Sequence, residues 1–157
     1  MRKRMISQDD RKAPETERRW LDIENLAQAV ITSEDEAHPI ESAFVAGCGS
    51  GWQAAESGRQ TLRLLFDDPQ RIELVHLAFR EVDGERTQEF VLRWSADGGR
   101  TFHDIARQQY NFSSPDSTRE IEDYSVDLDG VTTLELSITP DISGGSSRAS
   151  LAEWRIA

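Results

Sequence analysis

The run Arg107-Gln-Gln-Tyr-Asn-Phe-Ser113 puts three amides, a guanidinium and two aromatic rings within seven residues. Planar amides and arginine forks hydrogen-bond hydroxyl groups, and an aromatic face covers the apolar side of a sugar ring. Arg107, Gln109 and Tyr110 are therefore candidate contacts to a polar ligand. The competing account pairs Arg107 with a nearby carboxylate and leaves the glutamines to loop backbone. A second group flanks Val82-Asp-Gly-Glu85, where Arg86 and Gln88 stand with Glu81 and Glu89 at the end of an expected hairpin, the place where sandwich proteins carry binding loops. A bidentate pair between Arg86 and Glu81 is the alternative. Trp52, at the end of Gly47-Cys-Gly-Ser-Gly-Trp52, is either an exposed stacking platform or a plug closing the barrel end.

Other chemistry finds less support. His38, His76 and His103 show no His-x-x-x-His spacing, and Cys48 is the only cysteine, so neither a zinc site nor an intrachain disulfide is expected. No cofactor is expected. A structural calcium, which takes roughly six to eight oxygens, stays open but unplaced, because Asp67, Asp68, Asp97, Asp116 and Asp141 follow no ligand pattern. No Gly-x-Ser-x-Gly elbow, phosphate loop or dinucleotide fingerprint occurs, and abundant carboxylates alone do not make a glycosidase, so no enzyme is expected. Glu120-Ile-Glu-Asp-Tyr124 alternates in a manner that predicts a solvated strand face.

These residues need elements to hold them. The chain has 157 residues, enough for one domain with a core, and 18 basic against 29 acidic residues give a net charge of −11. Residues 1–19 carry net +3 and residues 20–157 carry −14, with eleven arginines and no lysine in the latter. That is the wrong sign for a nucleic-acid surface. Residues 1–19 hold almost no large apolar groups and are expected to be a flexible basic tail preceding a domain at 20–157. The start Met1-Arg-Lys-Arg-Met is not followed by an apolar stretch, and no apolar run is long enough to span a membrane, so a cytoplasmic location is expected.

Trp20, Ile23, Leu26, Ala27 and Val30 recur at helical spacing and predict a short N-terminal helix. From Gln60 the period becomes two. Leu62, Leu64 and Phe66 form one strand, a turn is expected at Asp67-Asp-Pro-Gln70, and Ile72, Leu74, Leu77 and Phe79 form a bulged second one. Phe90, Leu92 and Trp94 lead into Ala96-Asp-Gly-Gly99, a tight hairpin, and further strands are expected at 120–128, 131–139 and 149–156. Strands at this spacing predict an all-β antiparallel sandwich or barrel.

The order of these features resembles the discoidin, or coagulation-factor type C, branch of the galactose-binding-like jelly rolls. The similarity rests on Val30-Ile-Thr-Ser-Glu-Asp35, Gly51-Trp52, Gly58-Arg-Gln-Thr-Leu-Arg-Leu-Leu-Phe66, the hairpin Phe90-Val-Leu-Arg-Trp-Ser-Ala-Asp-Gly-Gly99 with Thr101-Phe102, and Ala149-Ser-Leu-Ala-Glu-Trp-Arg-Ile156. Phe102 stands where that family usually has tryptophan, and the terminal cysteines of its secreted members are missing. The resemblance implies a jelly-roll fold and a non-catalytic module that binds carbohydrate or a similar polar ligand at one loop end. The alternative is a protein-interaction module that uses the sandwich face or the basic tail.

Overall fold

The structure, a computed structural model, describes residues 19–47, 51–82 and 84–157. The tail expected at 1–19 therefore lies, except for Arg19, outside the described residues, as does Cys48. The expected helix is one turn, α1 (Ile23–Leu26), with Ile23 buried beneath it. The chain then extends into β1 (Ala27–Ile31), where Val30 points outward and is 45% exposed. The helical spacing thus holds for a single turn, because backbone pairing with the next strand overrides it: Ala27 faces Phe66 and Val30 faces Arg63.

A 3-10 turn (Ile40–Ala43) and β2 (Trp52–Ser57) precede β3 (Gln60–Arg80), then β4 (Arg86–Ser95), β5 (His103–Phe112), β6 (Arg119–Thr139), β7 (Arg148–Leu151) and β8 (Glu153–Ile156). β3 and β6 are each 21 residues long and pair antiparallel with one another. The chain does not reverse at Asp67-Asp-Pro-Gln70. Instead the register shifts between Leu65 and Leu74 and the ladder resumes with the same partner, which carries Gly130 at a φ of +67°. Pro69 lacks an N–H and so interrupts the ladder without ending the strand.

Each long strand consequently serves two layers. The first half of β3 and the second half of β6 lie in the order β1-β3-β6-β4-β5, with β5 at the edge. Leu62 and Leu64 face Leu136 and Leu134 there, and Phe90 and Leu92 of β4 face Ile138 and Leu136. In the other layer, Val75 and Leu77 of β3 pair with Ile156 and Trp154 of β8 on one side and with Tyr124 and Glu122 of β6 on the other. The layers meet where the Phe79 ring stacks on Phe90 at 5.1 Å. Trp52, Trp154, Phe79, Phe90 and Phe112 are fully buried between them, each contributing on the order of 2–3 kcal/mol through lost apolar surface. This is the antiparallel β-sandwich expected from the alternation.

The β4–β5 hairpin forms where Ala96-Asp-Gly-Gly99 predicts it. Asp97 Oδ1 accepts hydrogen bonds from Ser95 Oγ and from the backbone N–H groups of Arg100 and Thr101, which hold its carboxyl down at about 2.

Gly51 sits at a φ of +63°, and a Cβ there would lie 2.2 Å from the Leu151 carbonyl oxygen. Gly51→Ala is expected to destabilise the fold by at least about 2 kcal/mol, because backbone strain and a backbone clash add. The midpoint of urea unfolding checks it, and an unchanged midpoint would show that the β2 entry is not constrained by β7.

Candidate functional site

At one end of the sandwich β3 finishes with Arg80 and β6 begins with Arg119, and the two residues are direct partners across the ladder. Around them lies a cleft of about 510 Å³ reaching Gly47, Thr118 and Glu153. A second cleft of about 250 Å³ shares Arg80, Val82 and Ala152 with it and adds His38, Gln53 and Arg148, the first residue of β7. The acids here are committed. Glu153 accepts from the Gly47 N–H and faces His76 Nε2 at 3.2 Å, while His76 Nδ1 faces Asp123 at 2.6 Å. Glu81 takes the Arg86 guanidinium. Arg80, Arg119 and Arg148 are exposed and have no polar side-chain partner among the described residues.

Beneath this end runs a buried polar chain. Arg86 Nε donates to Glu81 Oε1 at 2.9 Å, and its Nη1 donates to the Pro140 carbonyl at 2.8 Å and to Gln88 Oε1 at 3.2 Å. The guanidinium also lies 4.7 Å above the Phe112 ring. Gln88 Nε2 donates in turn to Glu120 Oε1. Burial, and then the neighbouring Glu122, push the Glu120 carboxyl up to about 8, so it is largely protonated at neutral pH. The solvated face expected for Glu120-Ile-Glu-Asp-Tyr124 is therefore inverted. Glu120 is 2% exposed and Ile121 is 52% exposed, because the strand turns Glu120 inward to the Gln88 amide of β4. Tyr124 also turns inward, and burial raises its hydroxyl to about 12.

The six residues expected from the sequence to contact ligand fall in four places. Trp52 is the plug and not the platform: it is fully buried, and its indole N–H donates to the Ser33 carbonyl. Arg86 and Gln88 belong to the buried chain. Gln88 has no exposed surface, and Arg86 reaches only the margin of the second cleft. Arg107 and Gln109 lie on the outer face of β5, where both bind Glu89, at 2.6 and 2.8 Å. Gln109 first and Arg107 next hold the Glu89 carboxyl below its ordinary value. Tyr110 turns to the opposite face, edge-on to Phe112 at 4.9 Å. The carboxylate pairings weighed for Arg86 and Arg107 are thus the ones formed.

Arg80, Arg119 and Arg148 were not singled out from the sequence. Each stands alone there, and only the pairing of β3 with β6, resumed beyond its irregular stretch, brings the first two face to face. Among the described residues no group of three or more His, Cys, Asp or Glu is placed to hold a metal ion. Two of the aspartates considered for calcium cap turns instead: Asp97 as described, and Asp141, which accepts from the Ser143 N–H and hydroxyl. No helix among the described residues is long and apolar enough to cross a membrane.

No protein-family model matches the chain, and no curated protein does. Solved structures match it over most of its length. The family 32 carbohydrate-binding module of C. perfringens NanJ, in complex with galactose, aligns with a TM-score of 0.62 and 14% identity over 87% of this chain and 96% of that one. A pectin-binding carbohydrate-binding module aligns at 0.58 and 19% identity, over 83% and 89%. The family 32 module of AlyQ, in complex with 4,5-unsaturated mannuronic acid, aligns at 0.58 and 18% identity, over 89% and 98%. The chain therefore has the antiparallel jelly-roll β-sandwich fold of these modules.

Glu120 gives the buried chain a pH signature. Between about pH 4.5 and 8 the native state holds a proton that the unfolded state has released, so its contribution to stability falls as pH rises through that window and is level above it. Glu89, Asp97 and Asp141 are shifted downward, so their contributions to stability rise with pH, opposite in sign to that of Glu120. Glu120→Gln keeps a neutral partner for Gln88. It is expected to flatten the loss of stability between pH 5 and 8 and to be the more stable protein at pH 8, read from urea midpoints. Parallel pH profiles would contradict a protonated Glu120.

Proposed function

We propose that this chain is a non-catalytic carbohydrate-binding module whose ligand occupies the end cleft around Arg80, Arg119 and Arg148. The observation that carries this reading is the division of labour among the arginines. Those on the outer sheet face are bound to protein groups, Arg107 to Glu89, Arg63 to Glu135, Arg93 to Asp104 and Arg59 to Ser137, whereas Arg80, Arg119 and Arg148 of the end cleft have no polar side-chain partner among the described residues. Guanidinium forks are strong donors to hydroxyl and carboxylate oxygens. Val82, 45% exposed, and Ala152 supply an apolar patch for the face of a sugar ring. The modules of like fold that hold galactose or an unsaturated mannuronic acid support a saccharide as the ligand class.

The non-catalytic part rests on the acids of the cleft. Glycoside hydrolysis needs two carboxyl groups available to the scissile bond. Here Glu81 is held by Arg86 and Glu153 by His76 and the Gly47 amide, so each is engaged in supporting a loop.

Titration calorimetry of the full chain with galactose, N-acetylgalactosamine and uronic acid saccharides tests the proposal. At least one is expected to bind, Arg148→Ala to weaken that binding about tenfold, and Arg107→Ala to leave it unchanged. Absence of binding by every saccharide at millimolar concentration would overturn it.

A further inference from the structure

Along the β3–β6 ladder, cations elsewhere meet anions. Arg63 lies opposite Glu135 and bonds to it at 2.8 Å, and His76 lies opposite Asp123 and meets it at 2.6 Å. At the last rung Arg80 lies opposite Arg119. Like charges directly across a strand pair destabilise it. The sequence has no shortage of neutralising groups, since residues 20–157 carry 25 carboxylates against eleven arginines. Seven of those arginines have a carboxylate, hydroxyl or aromatic partner: Arg59, Arg63, Arg71, Arg86, Arg93, Arg107 and Arg155. Of the four without one among the described residues, only Arg100 lies away from the end cleft.

An unneutralised cross-strand pair on an acidic protein is a cost that a bound anion removes. We infer that the end cleft is selective for an acidic saccharide, whose carboxylate is taken by Arg80 and Arg119 at the rim of the larger cleft while Arg148 faces the adjoining one. This rests on the carbohydrate-binding reading above and narrows it to a ligand class. A carboxylate suits the site because two guanidinium forks present planar donor pairs to its two oxygens. The net charge of −14 on residues 20–157 repels extended polyanions, so the site favours one isolated acid group on an otherwise neutral ring. The apolar floor at Val82 and Ala152 is consistent with that ring.

The test uses three probes with the same ring size: methyl galacturonide, its methyl ester, and methyl galactoside, titrated calorimetrically into the full chain. The acid is expected to bind at least about tenfold more tightly than the ester, a preference that shrinks as salt is raised. Arg80→Gln and Arg119→Gln are each expected to abolish the preference while melting at the same temperature as the parent or higher, since each relieves the opposed charges. Arg100→Gln is expected to change neither. Equal binding of acid and ester would overturn the inference and leave the carbohydrate reading standing. A lower melting temperature for both glutamine variants would also overturn it, by assigning the arginines a structural role. Failure of all three probes, together with the neutral and acidic sugars above, would overturn the underlying reading as well.

Discussion

The pairing of β3 with β6 over their full length is the constraint on which the rest of this molecule depends. Because the same two strands run through both layers, the register chosen in one layer fixes the register in the other. Leu62 against Leu136 sets the first hydrophobic layer, and the same ladder, carried past the irregular stretch at Leu65 to Leu74, places Leu77 against Glu122 and Arg80 against Arg119. A slip of one residue would turn every apolar side chain to the wrong face. One-sided burial of Leu62, Leu64 and Phe66, with Arg63 exposed between them, makes such a slip costly. The geometry of the end cleft is thus inherited from packing far from it.

The buried chain from Glu81 through Arg86 and Gln88 to Glu120 is the second organising feature. Polar groups inside a sandwich cost several kcal/mol unless they are satisfied, and here one arginine answers a carboxylate, an amide and a backbone carbonyl from three different segments. Its effect is positional. The Pro140 loop, Glu81 at the end of β3 and the start of β4 are tied to one guanidinium, and Gln88 carries the chain on to Glu120 at the start of β6, which leaves the solvent-facing side of the same end to other arginines.

How far this could be read from sequence depends on whether the signal was local. The hairpin at Ala96-Asp-Gly-Gly99 was legible because Asp97 and two glycines encode the turn by themselves. The alternating strands and the all-β class were legible for the same reason. Asp67-Asp-Pro-Gln70 carries turn-forming residues yet lies within a strand, since the partner strand continued past it and local preference yielded to pairing. The polar run around Arg107 drew attention by composition, whereas its arginine and Gln109 are engaged with Glu89 on the adjacent strand, a contact between residues 18 and 20 positions apart. Arg80 and Arg119, 39 positions apart, had no local signal at all.

That run on β5 has a different consequence. β5 is the outermost strand of its layer, so one side of its backbone has no strand beside it. Such an edge is a template onto which another chain can add a strand. Arg107, Gln108 and Gln109 keep it hydrated and exposed, and the carboxylate of Asp104 and the imidazole of His103 do the same near its start. Charged and amide side chains along an edge strand are one of the means by which an open sheet margin is kept from pairing with another.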